Sequence, residues 1–288
     1  MKAVVSLTPS ESKRLIARAV VRMPIVQSAW RSGYLLLSDG TTNAMIAQEL
    51  TEERSLAPQR QAVGLSTSGV LCVTAPSSRT DFSGVFYQGL SRPTLSFSEA
   101  LASWNQNTVV IKGANAVDLD GHVGVIMTGL DGGTIPHILG AVTSRGIPLI
   151  VPVGLEKLVP SVPVAAKALG GSSTIDISMG ADGGMLCLCN AIVITELEAL
   201  LQLYGVTATL VACGGIGGNE GAVVLAMEGS SPQITAAVED LEQHVKGEPP
   251  IPGNKGCCES CRYRKCRYHG LTQAQLPPWL KQKGESNV

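Results

Sequence analysis

The chain has 288 residues, of which 44% are hydrophobic and only 4% aromatic, so it can bury a core built from aliphatic side chains. Its 22 basic and 23 acidic residues leave a net charge of −1. This balance excludes a strongly basic nucleic-acid coat protein and an acidic tail protein, and it argues against nucleic acid as a partner.

Neither a secretory signal nor a membrane span is predicted. The apolar residues at the amino terminus stop at Val5 and resume in an amphipathic pattern that includes Lys13, Arg14 and Arg18. The most apolar longer stretch, 135–154, is interrupted by His137, Arg145 and three prolines, so it does not offer the roughly 20 apolar residues of a span. We therefore expect a cytoplasmic protein without a membrane partner, whose eight cysteines are thiols or metal ligands.

Strands alternate with helices along the first part of the chain. Thr8 and Pro9 begin a helix that runs to about Met23, and the apolar run 34–37 predicts a strand that is covered on both faces. A glycine-containing turn and a helix over about 44–50 follow. The same alternation predicts strands at 69–74, 107–112 and 147–153, with helices at 97–102 and 134–143. This order is typical of a doubly wound α/β domain with a parallel sheet.

The second half of the chain differs in character. A helix over 195–204, strands at 206–212 and 222–227 and a helix over 231–245 predict a small α+β unit of ferredoxin-like type. The segment 247–253, which is rich in proline and glycine, predicts a linker. We divide the chain into an α/β domain (1–170), a small α+β domain (171–247) and a linker with a cysteine-rich tail (248–288).

Two glycine turns precede predicted helices and are candidates for anion binding. Gly40, Thr41, Thr42 and Asn43 lie where the strand 34–37 ends, so free backbone N–H groups and the helix dipole could hold an anion there. Capping of the helix by a threonine is the alternative interpretation. The segment 131–134 repeats the pattern. The glycine-dense segment 214–221 is followed by a strand rather than a helix, so NAD is not expected as a cofactor.

Two short motifs carry a resemblance to a known superfamily. They comprise Gly40, Thr41 and Thr42 after an early strand, and then Gly113, Ala114, Asn115, Val117, Asp118, Asp120 and Gly121 after a later one. Over roughly residues 8–160 the chain resembles the superfamily of ribose-5-phosphate isomerases, coenzyme A transferases, DeoR-type sugar-phosphate sensors and methylthioribose-1-phosphate isomerases. The resemblance implies a Rossmann-like, ribose-5-phosphate-isomerase-like α/β fold with a ligand site at the strand carboxyl ends.

The candidate residues of that site are divided by role. The isomerases place an aspartate after Gly-Ala, but this chain has Asn115, which cannot act as a general base. The expected catalytic residues are therefore Lys112, as an electrostatic partner, with Asp118 and Asp120. The expected ligand-binding residues are Gly40, Thr41, Thr42, Asn43, Gly113 and Asn115. Asp118 and Asp120 could instead only stabilise a turn in the sequence Asp-Leu-Asp-Gly.

The tail carries the most specific chemical pattern. Cys258, Cys261, Cys266 and His269 follow the spacing C-x2-C-x4-C-x2-H, which places soft ligands close enough for a tetrahedral zinc ion. An iron–sulfur cluster on the cysteines is the second interpretation, and solvated thiols are the third. Cys72 lies in an apolar strand and is expected to be a core residue.

The sequence thus predicts a protein that binds a small phosphorylated or otherwise anionic metabolite at the strand carboxyl ends. If it is an enzyme, we expect an isomerase or a group transferase. The alternative is a non-catalytic metabolite sensor or assembly protein with a metal-binding tail. A homo-oligomer is also among the candidate assemblies of this chain. The site requires the Gly-Thr turn to meet the segment that begins at Lys112 across one crevice.

Overall fold

A computed structural model describes residues 1–79, 84–129 and 132–281. Asp131 of the second predicted glycine turn therefore lies outside the described residues. In chain order the regular elements are β1 (Lys2–Leu7), α1 (Pro9–Arg22), α2 (Pro24–Ser32), β2 (Tyr34–Leu37), α3 (Thr41–Thr51), β3 (Gly64–Thr67), β4 (Val70–Val73), β5 (Val85–Tyr87), β6 (Leu90–Ser91), α4 (Phe97–Ala102), β7 (Val109–Ile111), β8 (Ala116–Val117), β9 (Val123–Met127), α5 (Thr134–Arg145), β10 (Leu149–Pro152), α6 (Val162–Leu169), β11 (Gly184–Leu188), β12 (Ile192–Ile194), α7 (Glu196–Tyr204), β13 (Thr207–Cys213), β14 (Val223–Glu228) and α8 (Ser231–His244).

The largest sheet has six strands in the order β12-β10-β7-β2-β5-β6. The first four are parallel, whereas β5 and β6 pair antiparallel at the other edge. The predicted α/β class is confirmed, but the sheet is mixed rather than wholly parallel as the sequence predicted. Because β2, β7, β10 and β12 run in the same direction, the loops that follow them meet at one edge of the sheet.

Both faces of this sheet are covered, as its uninterrupted apolar strands require. Leu35 and Leu37 of β2 pack into a core that includes α1, α3 and α7, whereas Leu36 packs into a second core that includes α5, β9 and β11. Alternate residues of one strand therefore belong to different cores, because successive side chains of a strand point to opposite faces.

A second sheet joins the first strand of the chain to two strands of its second half. β1 pairs antiparallel with β14 from Lys2↔Glu228 to Leu7↔Val223, and β14 also pairs with β13. The strand–glycine segment–strand–helix order predicted for residues 206–245 is present as β13, β14 and α8, and β1 completes the sheet. The first strand of the chain was not predicted, and it contributes to the unit that the sequence had placed at 171–247.

One strand lies in a different place from that expected. The strand predicted at 69–74 exists as β4, but it pairs with β3 in a two-stranded hairpin outside the six-stranded sheet, and its Leu71 forms an isolated bridge with Gly180. Ser68 and Gly69 at its tip have φ angles of 52° and 72°. Two consecutive residues with positive φ form the type I′ turn that favours a tight hairpin.

The tail packs against this hairpin. Tyr268, Leu276 and Leu280 form a small apolar cluster with Val70 of β4. A Cβ atom on Gly256 would lie 2.5 Å from the carbonyl oxygen of Val73, so only glycine allows the tail to approach the strand this closely. Within the part of the chain that the structure describes, no helix is long and apolar enough to cross a membrane.

Candidate functional site

A cavity of about 1000 Å³ lies at the carboxyl edge of the parallel strands. The segments that follow β2, β7 and β10 form one side of it, and the β3–β4 hairpin and the tail form the other. The Gly-Thr turn and Lys112 both line this cavity, so the crevice that the sequence analysis required is present. The cavity is large enough for a metabolite of moderate size.

The Gly-Thr turn presents uncapped backbone N–H groups. Gly40 has φ 147° and ψ 151°, a conformation that favours glycine, and it occupies the N-cap position of α3. No described side chain caps this helix, and the first helical hydrogen bond runs from the N–H of Ala44 to the carbonyl oxygen of Gly40. The N–H groups of Thr41, Thr42 and Asn43 therefore have no partner within the helix.

Asn43 fixes this turn against the neighbouring strand. Its Nδ2 donates to the carbonyl oxygen of Ser38 at 2.7 Å and to that of Ile111, at the end of β7, at 3.3 Å. The buried Oδ1 of Asn43 has no hydrogen-bond partner among the described residues. The side chain of Asn43 thus joins the turn after β2 to the end of β7, the strand that precedes Lys112.

A second helix also begins at the cavity. Gly132 and Gly133 have φ angles of 76° and 74° and precede α5, which has no described side-chain cap. Both glycines and Thr134 line the cavity. Two helices therefore direct the positive ends of their dipoles toward the same space.

Lysines add full positive charges to these dipoles. Lys112 follows β7, and its Nζ donates to the carbonyl oxygen of Gly113 at 3.1 Å. Lys157 follows β10 and donates to the carbonyl oxygen of Ala114 at 3.0 Å. Burial lowers the pKa of Lys112, which the nearby Asp39 opposes, and burial together with Lys13 lowers the pKa of Lys157 to about 8. Both ammonium groups are poorly hydrated, so an anionic ligand would interact strongly with them.

Two carboxylates accompany the lysines. Asp39 lines the cavity beside Lys112, and burial raises the pKa of Asp39 although Arg79 and Lys112 oppose the shift. Glu156 also lines the cavity, where its Oε1 accepts a hydrogen bond from Lys13 at 2.9 Å. The sequence analysis did not select Asp39 as a catalytic candidate, although its position after a parallel strand was a usable signal.

Asp118 and Asp120 lie elsewhere. Asp118 is only 4% exposed, and its carboxylate accepts hydrogen bonds from the N–H groups of Asp120, His122 and Val162 at 2.8–3.1 Å. Neither aspartate is among the described residues that line the cavity. The structure therefore brings Lys112 to the Gly-Thr turn without these two acids, and Asp118 stabilises the turn between β8 and β9.

The remaining predicted binding residues are at the cavity. Gly113 and Asn115 both line it. Asn115 also has a local partner, since its Oδ1 accepts a hydrogen bond from the N–H of Ile126 at 2.9 Å. This contact holds the segment after β7 against β9.

The cysteines of the tail face the same cavity from the opposite side. Cys258, Cys261 and Cys266 line it, and so does Cys72 of β4, which the sequence analysis had placed in the core. His269, the fourth predicted ligand, is exposed and does not belong to the described lining. Its N–H donates to the carbonyl oxygen of Cys266 at 2.9 Å.

These features describe an α/β protein with a cation-lined cavity at the carboxyl edge of its parallel strands. A scan against protein-family models finds no model that matches the chain, and a search of curated proteins finds no match.

Proposed function

We propose that this protein binds a small phosphorylated or similarly anionic metabolite in the cavity, within a Rossmann-like domain of the ribose-5-phosphate-isomerase type. The observation that carries the proposal is the convergence of two helix N-termini, those of α3 and α5, neither of which has a side-chain cap among the described residues, on the space that Lys112 lines. Backbone N–H groups at a helix start and a nearby ammonium group are the donors that bind phosphate in many proteins.

The charges of the cavity favour an anion. Lys13, Lys112, Lys157 and Arg79 contribute positive charge, and Asp39 and Glu156 contribute negative charge. Because Glu156 is paired with Lys13, the remaining cations exceed the remaining acid. A phosphate group placed against the Gly-Thr turn would offset this excess.

Catalysis would depend on Asp39. A carboxylate with a raised pKa beside a buried lysine can move a proton next to a carbonyl group, while the lysine stabilises the negative charge that develops on oxygen. This arrangement would suit an isomerase. The non-catalytic sensor is the second candidate, because the carboxylate of Asp118 stabilises a turn and neither Asp118 nor Asp120 is among the described residues that line the cavity.

Equilibrium binding tests the proposal. We expect ribose 5-phosphate to raise the melting temperature of the full chain and to give a saturable calorimetric signal, because a ligand of the native state stabilises it by mass action. Ribose without phosphate is the matched control and should have no effect. Binding of acetyl-CoA in the same assay would support the alternative that the protein is a group transferase. If ribose 5-phosphate, inorganic phosphate and acetyl-CoA all fail to bind, the proposal is wrong.

The same titration should depend on pH through Lys157. Its pKa of about 8 means that the ammonium group is mostly charged at pH 7 and mostly neutral at pH 9, whereas a phosphate monoester stays dianionic over this range. We expect affinity for ribose 5-phosphate to fall roughly 10-fold between these pH values, as one charged hydrogen bond is lost. Lys157→Arg stays charged and should flatten the profile. An equally steep profile in the variant would contradict the role of Lys157.

A further inference from the structure

We propose that Cys72, Cys258, Cys261 and Cys266 together hold an iron–sulfur cluster in the wall of the cavity. Three of these cysteines belong to the tail, and the fourth belongs to the β3–β4 hairpin, so the tertiary fold alone brings them together. The site is independent of anion binding, since it uses other residues on the opposite side of the cavity.

The four thiols form one cluster. All of them line the cavity, and Cys72, Cys258 and Cys266 pack against the small apolar cluster formed by Val70, Tyr268, Leu276 and Leu280. Cys258 and Cys261 each lie within electrostatic range of both Cys72 and Cys266. Four thiolates are the common ligand set of [2Fe–2S] and [4Fe–4S] clusters.

Backbone N–H groups are directed at the sulfur atoms. The N–H of Tyr268 donates to Sγ of Cys266 at 3.4 Å, and the backbone of Tyr263 hydrogen-bonds the thiol of Cys261. Hydrogen bonds of this kind stabilise thiolates and tune the clusters that they hold. The backbone of the tail thus places a hydrogen-bond donor at each of these two sulfur atoms.

The surroundings of Lys255 favour a negatively charged group beside Cys258. It is only 7% exposed, and its Nζ lies 3.6 Å from Sγ of Cys258 and 3.3 Å from the carbonyl oxygen of Gly256. Among the described residues no carboxylate lies within ion-pair distance of this ammonium group. A buried charge requires a counter-charge, and an anionic thiolate-bound cluster supplies it.

The spacing of the thiols favours a cluster over a single zinc ion. Tetrahedral zinc, with Zn–S bonds of about 2.3 Å, places its sulfur ligands roughly 3.8 Å apart. No three of the described cysteines have their sulfur atoms within 4.8 Å of one another, although Asp118, Asp120 and His122 meet this limit. A cluster places its own iron and sulfide atoms between the thiolates, so its ligands stand farther apart than those of a single zinc ion.

The other nearby candidates fit less well. His269 is exposed, and only its backbone N–H contacts Cys266. Cys257 also lines the cavity, but it is exposed, whereas Cys72, Cys258, Cys261 and Cys266 are partly buried. The ligand set inferred from sequence spacing therefore changes at one position, from His269 to Cys72.

Metal analysis of the full chain, purified without oxygen, tests the assignment. We expect about two to four iron atoms per chain with matching sulfide, and a paramagnetic signal after reduction with dithionite. Cys72→Ser should lose at least half of the iron. His269→Ala and Cys213→Ser, which removes an exposed thiol at the end of β13, should retain the wild-type content.

Several results would overturn the proposal. They are one equivalent of zinc without iron, absence of metal from the anaerobic protein, or full iron in Cys72→Ser. Pulsed electron paramagnetic resonance of the reduced wild-type protein identifies the type of ligand atom without any substitution. It therefore tests the assignment even if Cys72→Ser does not fold. We expect no coupling from a ligating nitrogen, and a strong nitrogen coupling would assign His269 instead of Cys72.

Discussion

Lys112→Met should weaken the binding of ribose 5-phosphate by about 10- to 100-fold. Lys112 stands beside the uncapped start of α3, and burial has already removed much of its hydration, so its hydrogen bond to a phosphate competes little with water. A hydrogen bond to a charged group contributes roughly 1.5–3 kcal/mol, and each 1.4 kcal/mol corresponds to a factor of ten in affinity. Titration calorimetry of the variant at pH 7 measures the loss directly.

Lys2→Met is the matched control for this substitution. Lys2 is largely exposed and pairs with Glu228 on the β1–β14 sheet, so its removal changes the net charge equally without altering the cavity. We expect unchanged affinity in this variant. Among the described residues, Nζ of Lys112 donates a hydrogen bond only to the carbonyl oxygen of Gly113, so Lys112→Met should also keep the native melting temperature within a few degrees. Wild-type affinity in Lys112→Met would remove Lys112 from the site.

Arg14→Met should lower the free energy of unfolding by about 3–5 kcal/mol, the range observed when one partner of a buried ion pair is removed. Arg14 is 1% exposed in α1. Its guanidinium donates to Gln48 at 2.7 Å, to Glu49 at 2.8 Å and to Glu248 at 2.8 and 2.9 Å. The variant would leave Glu248 without its described ion-pair partner and Glu49 with Arg54 alone, and α1 would lose these hydrogen bonds to α3 and to the segment before the tail.

Urea unfolding with the matched variant Arg31→Met checks this expectation. Arg31 is exposed at the end of α2, so its replacement should change stability by no more than about 0.5 kcal/mol. Equal stabilities for the two variants would show that the Arg14 network is energetically neutral. Such a result is known for buried ion pairs that a well-packed hydrophobic residue replaces.

The parallel strands were predictable because each is an uninterrupted apolar run followed by a glycine-containing turn. β2 and β10 follow this rule, and their shared direction brings the turns after them to one edge. β3 and β5 were not predicted. Each has only three or four residues, which is too short to show the alternation that identifies a strand.

The candidate site was predictable in part for the same reason. Gly40 and Lys112 follow neighbouring parallel strands, so the topology itself brings them together. Asp118 follows β8, which pairs with β9 in a separate sheet, and no feature of the sequence reveals that change of sheet. The position of Cys72 beside the tail could not be predicted either. It results from tertiary packing, because the hairpin that contains Cys72 packs against residues 268–280, which are far away in the sequence.

A crystal structure of the protein with ribose 5-phosphate tests the central claim most directly. The account predicts density for the phosphate group within hydrogen-bond distance of the N–H groups of Thr41, Thr42 and Asn43 and of Nζ of Lys112. Density for the ligand on another surface, with the Gly-Thr turn left in contact with solvent alone, would contradict it.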